Sequence, residues 1–294
     1  MGAPAPPLLQ ARAVARVGAR VRARAPRGDR AIAAALVTGA STGIGEATAR
    51  HLAARGWDVL ASVRAEGDAP AGMRELVFDV TDAGAVARAA EGVDTLAGVV
   101  LNAGIAIAAP LEYLPPDELA RQLDVNVVGQ LRVLQAFLPA LRAARGRVVL
   151  MGSVGGRSAL PFLGAYAMSK FALEAMADSL RLELQPWGIH VAIVEPGTIA
   201  TPMWTKPQRA FDESAAEAAE RYGARIEKFR RLAAKRSSAG VPPVEVAKAV
   251  EHALTADPPR TRYLVGRDAK LRAGVQKLPD RLRDRALRRF LFGE

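Results

Sequence analysis

A tyrosine and a lysine stand four residues apart in the stretch YAMSK, as Tyr166 and Lys170. On one α-helix this spacing places both side chains on the same face. A free phenol has a pKa of about 10 and accepts protons poorly near neutral pH. An ammonium group beside it favours the phenolate, so we expect Lys170 to lower the pKa of Tyr166. The pair predicts general acid/base chemistry at a substrate oxygen; the alternative is a structural tyrosine and a solvated lysine on an amphipathic helix.

A glycine-rich turn precedes this pair in TGASTGIGEATARHLAARG, with glycines at positions 39, 43 and 45. It follows the first predicted strand and opens the first predicted helix. Glycines there allow a sharp turn and a close approach of the backbone to a pyrophosphate, which the N–H groups of the helix N-terminus attract. The turn therefore predicts a dinucleotide site.

The elements that carry these residues alternate along the chain. Continuous apolar runs such as AIAAALVT, GRVVLMGS and IHVAIVEPG are separated by helical patterns, including one long helix near 117–144. Such runs are typical of parallel strands buried on both faces, so we predict a doubly wound α/β (Rossmann) fold with three layers over residues 31–266. The segment near 198–240 breaks the alternation. We interpret it as a substrate lid, with a passive surface excursion as the alternative.

Composition excludes several classes of function. The 294-residue chain has no cysteine and three histidines, which argues against a metal site. Its net charge of +11 belongs to the two ends, because residues 31–259 hold 23 basic and 25 acidic residues. We therefore expect no nucleic-acid binding. Residues 1–30 are expected to form a disordered tail, with a transit peptide as the alternative. Since no apolar run approaches about 18 residues, we expect a soluble cytoplasmic protein.

Six motifs occur in an order that resembles one known family. They are TGASTGIG, LNAG at 101–104, Asn126 in LDVNVVG, Ser153 in LMGSVGG, YAMSK, and EPGTIAT at 195–201. From about residue 32 to about 266 the chain is similar to the short-chain dehydrogenases/reductases. The resemblance implies an oxidoreductase that exchanges a hydride between a nicotinamide cofactor and an alcohol or carbonyl group.

The resemblance also implies the roles of individual residues. Ser153 is expected to hydrogen-bond the substrate oxygen, Lys170 to hold the nicotinamide ribose, and Asn126 to fix a helix bend and a water that relays protons to Lys170. Asp79 is expected to meet the adenine amino group. The implied catalytic residues are Asn126, Ser153, Tyr166 and Lys170, and the implied cofactor-binding residues are Gly39, Ser41, Thr42, Gly43, Ile44, Gly45, Arg64, Asp79, Val80, Asn102, Ala103, Gly104, Tyr166, Lys170, Pro196, Gly197 and Thr201.

The end of the second predicted strand bears on which nicotinamide cofactor is bound. An acidic residue there would bind the ribose 2′-OH of NAD and repel a 2′-phosphate. WDVLASVR instead ends in Val63 and Arg64. A guanidinium suits a phosphate, so we predict NADP(H) as the preferred cofactor, with NAD(H) possible and a solvated loop arginine as the alternative.

The residues expected to bind substrate are mainly apolar, and no arginine is obviously placed to bind an anion. They are Ser153, Val154, Leu163, Tyr166, Met203 and Trp204. The stretch GGRSALPFLGAYAMSKFALEAMADSLRLEL most resembles the branch with retinol and hydroxysteroid dehydrogenases, which implies a steroid-, retinoid- or lipid-like substrate. Alternatives are a 3-oxoacyl-type reductase, a sugar-nucleotide epimerase, which fits less well, and a non-catalytic dinucleotide-binding sensor.

The basic extension at 267–294 places Leu271, Val275, Leu278 and Leu282 at helical spacing, with Pro279 expected to interrupt the helix. We favour packing of this seam on the domain or on a subunit. Peripheral contact with an anionic membrane is the alternative. The family resemblance implies a homodimer or homotetramer formed through the helices near 117–144 and 164–185.

Overall fold

Seven parallel strands form a single sheet in the computed structural model, which describes residues 33–201, 203 and 215–293. The order across the sheet is β3-β2-β1-β4-β5-β6-β7. The strands are β1 Ala34–Thr38, β2 Asp58–Val63, β3 Arg74–Val77, β4 Gly98–Leu101, β5 Arg147–Met151, β6 His190–Pro196 and β7 Arg262–Val265. After β3 the chain crosses to the other half of the sheet, where β4 pairs with β1, so the strand order reverses between these two strands. The predicted doubly wound α/β fold is confirmed.

Helices cover both faces of this sheet. Those of the described ranges are α1 Gly43–Ala54, α2 Ala83–Ala90, α3 Pro116–Leu123, α4 Gly129–Ala144, α5 Gly164–Glu183, α6 Ala215–Ser238, α7 Pro243–Thr255, α8 Arg267–Val275 and α9 Asp280–Phe292. Leu36 packs into the core beneath α4 and α5, whereas Val37 packs into the core beneath α1 and α7. Alternate residues of a strand point to opposite faces, and both faces are buried. The strands are therefore apolar throughout. None of the helices described is long and apolar enough to cross a bilayer.

The long helix predicted near 117–144 is present from Pro116 to Ala144, with one irregular turn inside it. After α3, residues Asp124–Val128 form a wider π-helical turn, and α4 begins at Gly129. The turn contains Asn126, which is 1% exposed. A wide turn of this kind inserts a residue into the helix, a device often found at functional sites. It allows the Asn126 side chain to bond the chain beyond β4.

The C-terminal extension forms two helices, with Pro279 immediately before the second. The apolar seam predicted to pack is instead exposed: Leu271 by 70%, Leu278 by 42% and Leu282 by 52%. Packing of these three leucines on the domain is therefore wrong, whereas Val275 is half-buried and packing of the seam on a subunit stays a prediction. Because the helix is interrupted between α8 and α9, the seam is not one continuous face. Ala269 is the residue of α8 that is fully buried.

Candidate active site

The carboxyl ends of β1 and β4 bring the first two motifs together. The Thr38 hydroxyl accepts hydrogen bonds from the backbone N–H of Asn102 at 2.8 Å and of Ala103 at 2.9 Å. The Asn102 side-chain amide donates to the Thr38 carbonyl at 2.8 Å and to the Gly39 carbonyl at 3.3 Å. Asn102 thus supports the glycine turn from behind, at the point where the strand order reverses and open α/β sheets bind their ligands.

The glycine turn forms a cradle that side chains would fill. Gly39 and Gly43 have φ values of 65° and 63°, in the left-handed region that glycine adopts freely. A Cβ at Gly45 would lie 2.1 Å from the Gly39 carbonyl oxygen. The residues between, Ser41, Thr42 and Ile44, are partly or fully exposed, and the Thr42 side chain makes no cap hydrogen bond to α1. This arrangement fits the pyrophosphate of a dinucleotide.

The ends of β2 and β3 lie beside this cradle. The Ala40 N–H donates to the Ser62 carbonyl at 2.9 Å, which places the exposed Arg64 two residues further along the same edge. The Asp79 carboxylate accepts from the Thr81 N–H at 2.8 Å and the Thr81 hydroxyl at 2.7 Å. Val80 is 5% exposed and its side chain belongs to the core.

The first turns of α5 place Tyr166 and Lys170 on one face, opposite the end of β5. The Lys170 ammonium lies 5.6 Å from the centre of the Tyr166 ring and donates to the Met151 carbonyl at 2.8 Å. The Ser153 side chain hydrogen-bonds Tyr166, and its hydroxyl oxygen also accepts from the Gly155 N–H at 3.0 Å. Three of the four predicted catalytic side chains therefore meet at one point.

The pKa of Tyr166 does not shift in the expected direction. Burial raises the pKa of the phenol, and this outweighs the lowering by the hydrogen bond with Ser153 and by the positive charge of Arg272. Burial also lowers the pKa of Lys170 to about 8, against the opposing charge of Glu174. The expected lowering of the Tyr166 pKa by Lys170 is therefore wrong for the chain alone. Desolvation of both groups is the reason.

Asn126 acts as a brace between β4 and α5. Its side chain accepts from the Ile105 N–H at 2.8 Å and donates to the Ile105 carbonyl at 2.9 Å and to the Ser169 hydroxyl at 3.0 Å. The sequence analysis missed its two neighbours, Gln122 and Gln130, which bond the backbone of Ile105 and Ile107 and of Ala103 respectively. The side-chain amides of Gln122, Asn126 and Gln130 recur at intervals of four residues, and this spacing was the pattern from which sequence analysis could have grouped them. They hold the chain beyond β4, where Gly104 lies against Asn126.

The segment after β6 runs towards the glycine cradle. A Cβ at Gly43 would lie 3.5 Å from the Thr201 methyl group, so these two motifs are adjacent. Pro196 ends β6 and is buried. A Cβ at Gly197 would lie 2.2 Å from a carboxylate oxygen of Asp268, which sequence analysis had not singled out. The C-terminal extension therefore contacts the site.

The predicted substrate residues have different surroundings. Val154 is 1% exposed, so its side chain is buried and does not line an open surface. Leu163 packs with Phe162 against α6, whose Ala218 and Ile226 complete an apolar cluster. Met203 is partly exposed, and Trp204 lies outside the described residues. The helical part of the predicted lid thus contacts the segment that leads into α5.

A buried network of charged side chains begins one turn after Lys170 on α5, at Glu174. Glu195 is fully buried and accepts from Arg157 at 2.7 Å and from Arg262 at 3.0 Å. Arg262 also pairs with Glu174 and, at 2.7 Å, with Asp178. A carboxylate inside the apolar run of β6 requires a buried partner, which sequence analysis did not single out. Burial and the charge of Glu195 raise the pKa of Glu174 to about 7.

Comparisons with known proteins agree with this geometry. The family model described as short chain dehydrogenase matches residues 33–211. The chain is 38% identical to retinol dehydrogenase 16 of Homo sapiens, covering 80% of this chain and 81% of that protein. It is 37% identical to human 17-beta-hydroxysteroid dehydrogenase type 1, covering 78% and 76%. A short chain dehydrogenase from Burkholderia cenocepacia in complex with NADP superposes with a TM-score of 0.70 at 27% identity, covering 89% and 98%.

Proposed function

This chain belongs to the short-chain dehydrogenase/reductase family, and we propose on that premise that Tyr166 is the general acid/base of an NADP(H)-dependent reaction on a largely apolar substrate. The chain is an oxidoreductase that acts on alcohol and carbonyl groups with NAD or NADP. The observation that carries the proposal is the meeting of Tyr166, Lys170 and Ser153 beside a cradle that only glycine permits.

Each of the four predicted catalytic residues has its own role in the proposed reaction. When bound, the nicotinamide supplies hydride exchange with the substrate carbon. Tyr166 gives a proton to the substrate oxygen in reduction and takes it back in oxidation, and Ser153, already hydrogen-bonded to Tyr166, orients that oxygen. Lys170, whose ammonium lies 5.6 Å from the centre of the Tyr166 ring, would hold the nicotinamide ribose. Asn126 keeps α5 in register with the chain beyond β4 through Ser169 and Ile105.

Arg64 is proposed to select NADP(H) by binding the 2′-phosphate. We expect Arg64→Gln to raise the Kd for NADPH about tenfold while changing the Kd for NADH little, since one charge-assisted contact to phosphate is lost. Fluorescence titration of both cofactors measures this. Arg74→Gln, which removes an exposed arginine of β3, is the matched control. An equal change for the two cofactors would show that Arg64 does not select between them.

The proposed substrate is a steroid-, retinoid- or lipid-like alcohol or its carbonyl partner. Two relatives are named for retinol and for hydroxysteroids, and Leu163 packs among aromatic residues at the base of α6. A panel of ketosteroids, retinal, simple aldehydes and acetoacetyl thioesters, assayed by oxidation of NADPH and NADH, tests this. Preference for the thioester would favour a 3-oxoacyl-type reductase. Cofactor binding without turnover of any compound would favour a sensor.

We also propose that the protein is a homo-oligomer. Val128, before α4, and Met168 and Phe171, on α5, are each exposed by 40% or more. Apolar side chains on one surface favour an interface between copies. Light scattering of the purified protein, compared with Phe171→Glu, measures the assembly; a monomeric wild-type protein would contradict the proposal.

The C-terminal helices are proposed to contact an anionic membrane surface. Leu278, Leu282 and Phe290 are exposed among arginines of α9, a pattern typical of helices that lie in a lipid interface. We expect the wild-type protein to float with anionic vesicles and the double variant Arg285→Glu, Arg288→Glu to remain behind, with neutral vesicles as the control. Equal flotation of both proteins would contradict the proposal.

A further inference from the structure

We propose that Arg272, in the first helix after the last strand, is a positioning residue that stabilises the phenolate form of Tyr166 by a permanent positive charge. None of the six family motifs includes Arg272. The inference rests on the proposed function only in treating Tyr166 as the acid/base group.

The start of α8 is fixed to the segment that follows β6. One carboxylate oxygen of Asp268 accepts from the Thr198 N–H at 2.7 Å and from the Thr198 hydroxyl at 2.8 Å. The absence of a side chain at Gly197 and at Gly266 makes room for this carboxylate, because a Cβ at either position would lie 2.2 Å or 2.7 Å from it. The helix is therefore held at one end of the site.

Arg272 lies one turn further along α8, on the same face as Asp268. Its guanidinium donates to the Ser158 carbonyl at 2.6 Å, and Ser158 is 3% exposed. The turn before Ser158 contains Gly155, where a Cβ would lie 3.2 Å from the Tyr166 ring. The helix thus bridges the segments after β5 and β6, and it anchors a cation on the segment that packs against the phenol.

The charges around Tyr166 favour this role for Arg272. The Ser153 hydrogen bond and the charge of Arg272 both lower the Tyr166 pKa, against burial, which raises it. Lys170 faces the ring from the same helix, but burial lowers its own pKa to about 8, against the opposing charge of Glu174. A guanidinium keeps its proton at any pH the protein survives. In the alkaline range Arg272 is therefore the more constant source of positive charge.

Titration of Tyr166 tests the proposal without any turnover. The full chain is labelled with fluorotyrosine at its four tyrosines, Tyr166→Phe assigns one fluorine resonance, and that resonance is followed against pH. We expect Arg272→Gln to raise the Tyr166 pKa by about one unit and Arg272→Lys to restore most of the difference. Lys270→Gln removes an equal charge from an exposed position of the same helix and should leave the Tyr166 pKa unchanged.

An unchanged Tyr166 pKa in Arg272→Gln, or an equal rise in Lys270→Gln, would overturn the proposal and leave Arg272 as a support for the Ser158 backbone. Arg272→Met keeps the apolar stem and replaces the glutamine variant if that variant does not fold. The other three fluorine resonances report whether the fold is retained. Failure of the proposed function would appear separately, as turnover that survives in Tyr166→Phe.

Discussion

Replacing Tyr166 with phenylalanine is expected to lower kcat for carbonyl reduction by about 100- to 10,000-fold, the usual contribution of a positioned acid/base group. Phenylalanine keeps the ring that packs against Gly155 and removes only the proton donor. The Kd for NADPH should change by less than about threefold, since the glycine cradle and Arg64 are untouched. Single-turnover assays with saturating NADPH measure the loss.

The control for this experiment is Tyr263→Phe. Tyr263 lies in β7, and its hydroxyl bonds His252 of α7 at 3.0 Å. The control variant should turn over at close to the wild-type rate. Turnover in Tyr166→Phe within about tenfold of wild type would assign proton transfer to another group. Loss of NADPH binding together with activity would indicate a structural role for the hydroxyl.

Replacing Arg262 with methionine is expected to destabilise the fold by about 3–5 kcal/mol, because it leaves the buried Glu174 without the cation that bonds it and leaves Glu195 with Arg157 alone. Glu195 is fully buried and Glu174 is 9% exposed, whereas Arg157 bonds Glu195 and makes no bond to Glu174. Urea unfolding at pH 8 measures the loss. Arg74→Met, which breaks an exposed pair with Asp58 at 3.2 Å, should cost less than about 1 kcal/mol.

The loss of folding stability caused by Arg262→Met should be larger at high pH than at low pH. Burial raises the folded-state pKa of Glu174 to about 7, above its ordinary value of 4.5. The folded state therefore binds more protons between these values, and the stability of the wild-type protein falls as pH rises through them. Removal of Arg262 takes away charge that lowers this pKa, so the deficit should be larger at pH 8 than at pH 5. A deficit no larger than that of Arg74→Met at both pH values would show that the network is not stabilised by Arg262.

The strands, the glycine turn and the Tyr166–Lys170 pair could be predicted because each depends on a local pattern. Leu36 and Val37 are both fully buried, so an unbroken apolar run was enough to indicate a parallel strand. The turn requires glycine at positions 43 and 45, because Gly43 has a positive φ and a side chain at Gly45 would collide with the Gly39 carbonyl. The glycines in the sequence were therefore enough to predict the turn. The wide turn around Asn126, inside the long helix, could not be located from the pattern, because an inserted residue leaves almost no mark on helical periodicity.

Other properties arise only from contacts between distant parts of the chain. Arg272 bonds Ser158 across 114 residues, and Asp268 bonds Thr198 across 70. No spacing in the sequence relates such positions. The raised pKa of Tyr166 and the lowered pKa of Lys170 likewise follow from desolvation, which depends on every neighbour that excludes water. The sequence by itself thus determined the fold and the spacing of Tyr166 and Lys170. The tertiary structure decided the direction in which their pKa values shift and which charges surround them, because burial and long-range contacts exist only in the folded chain.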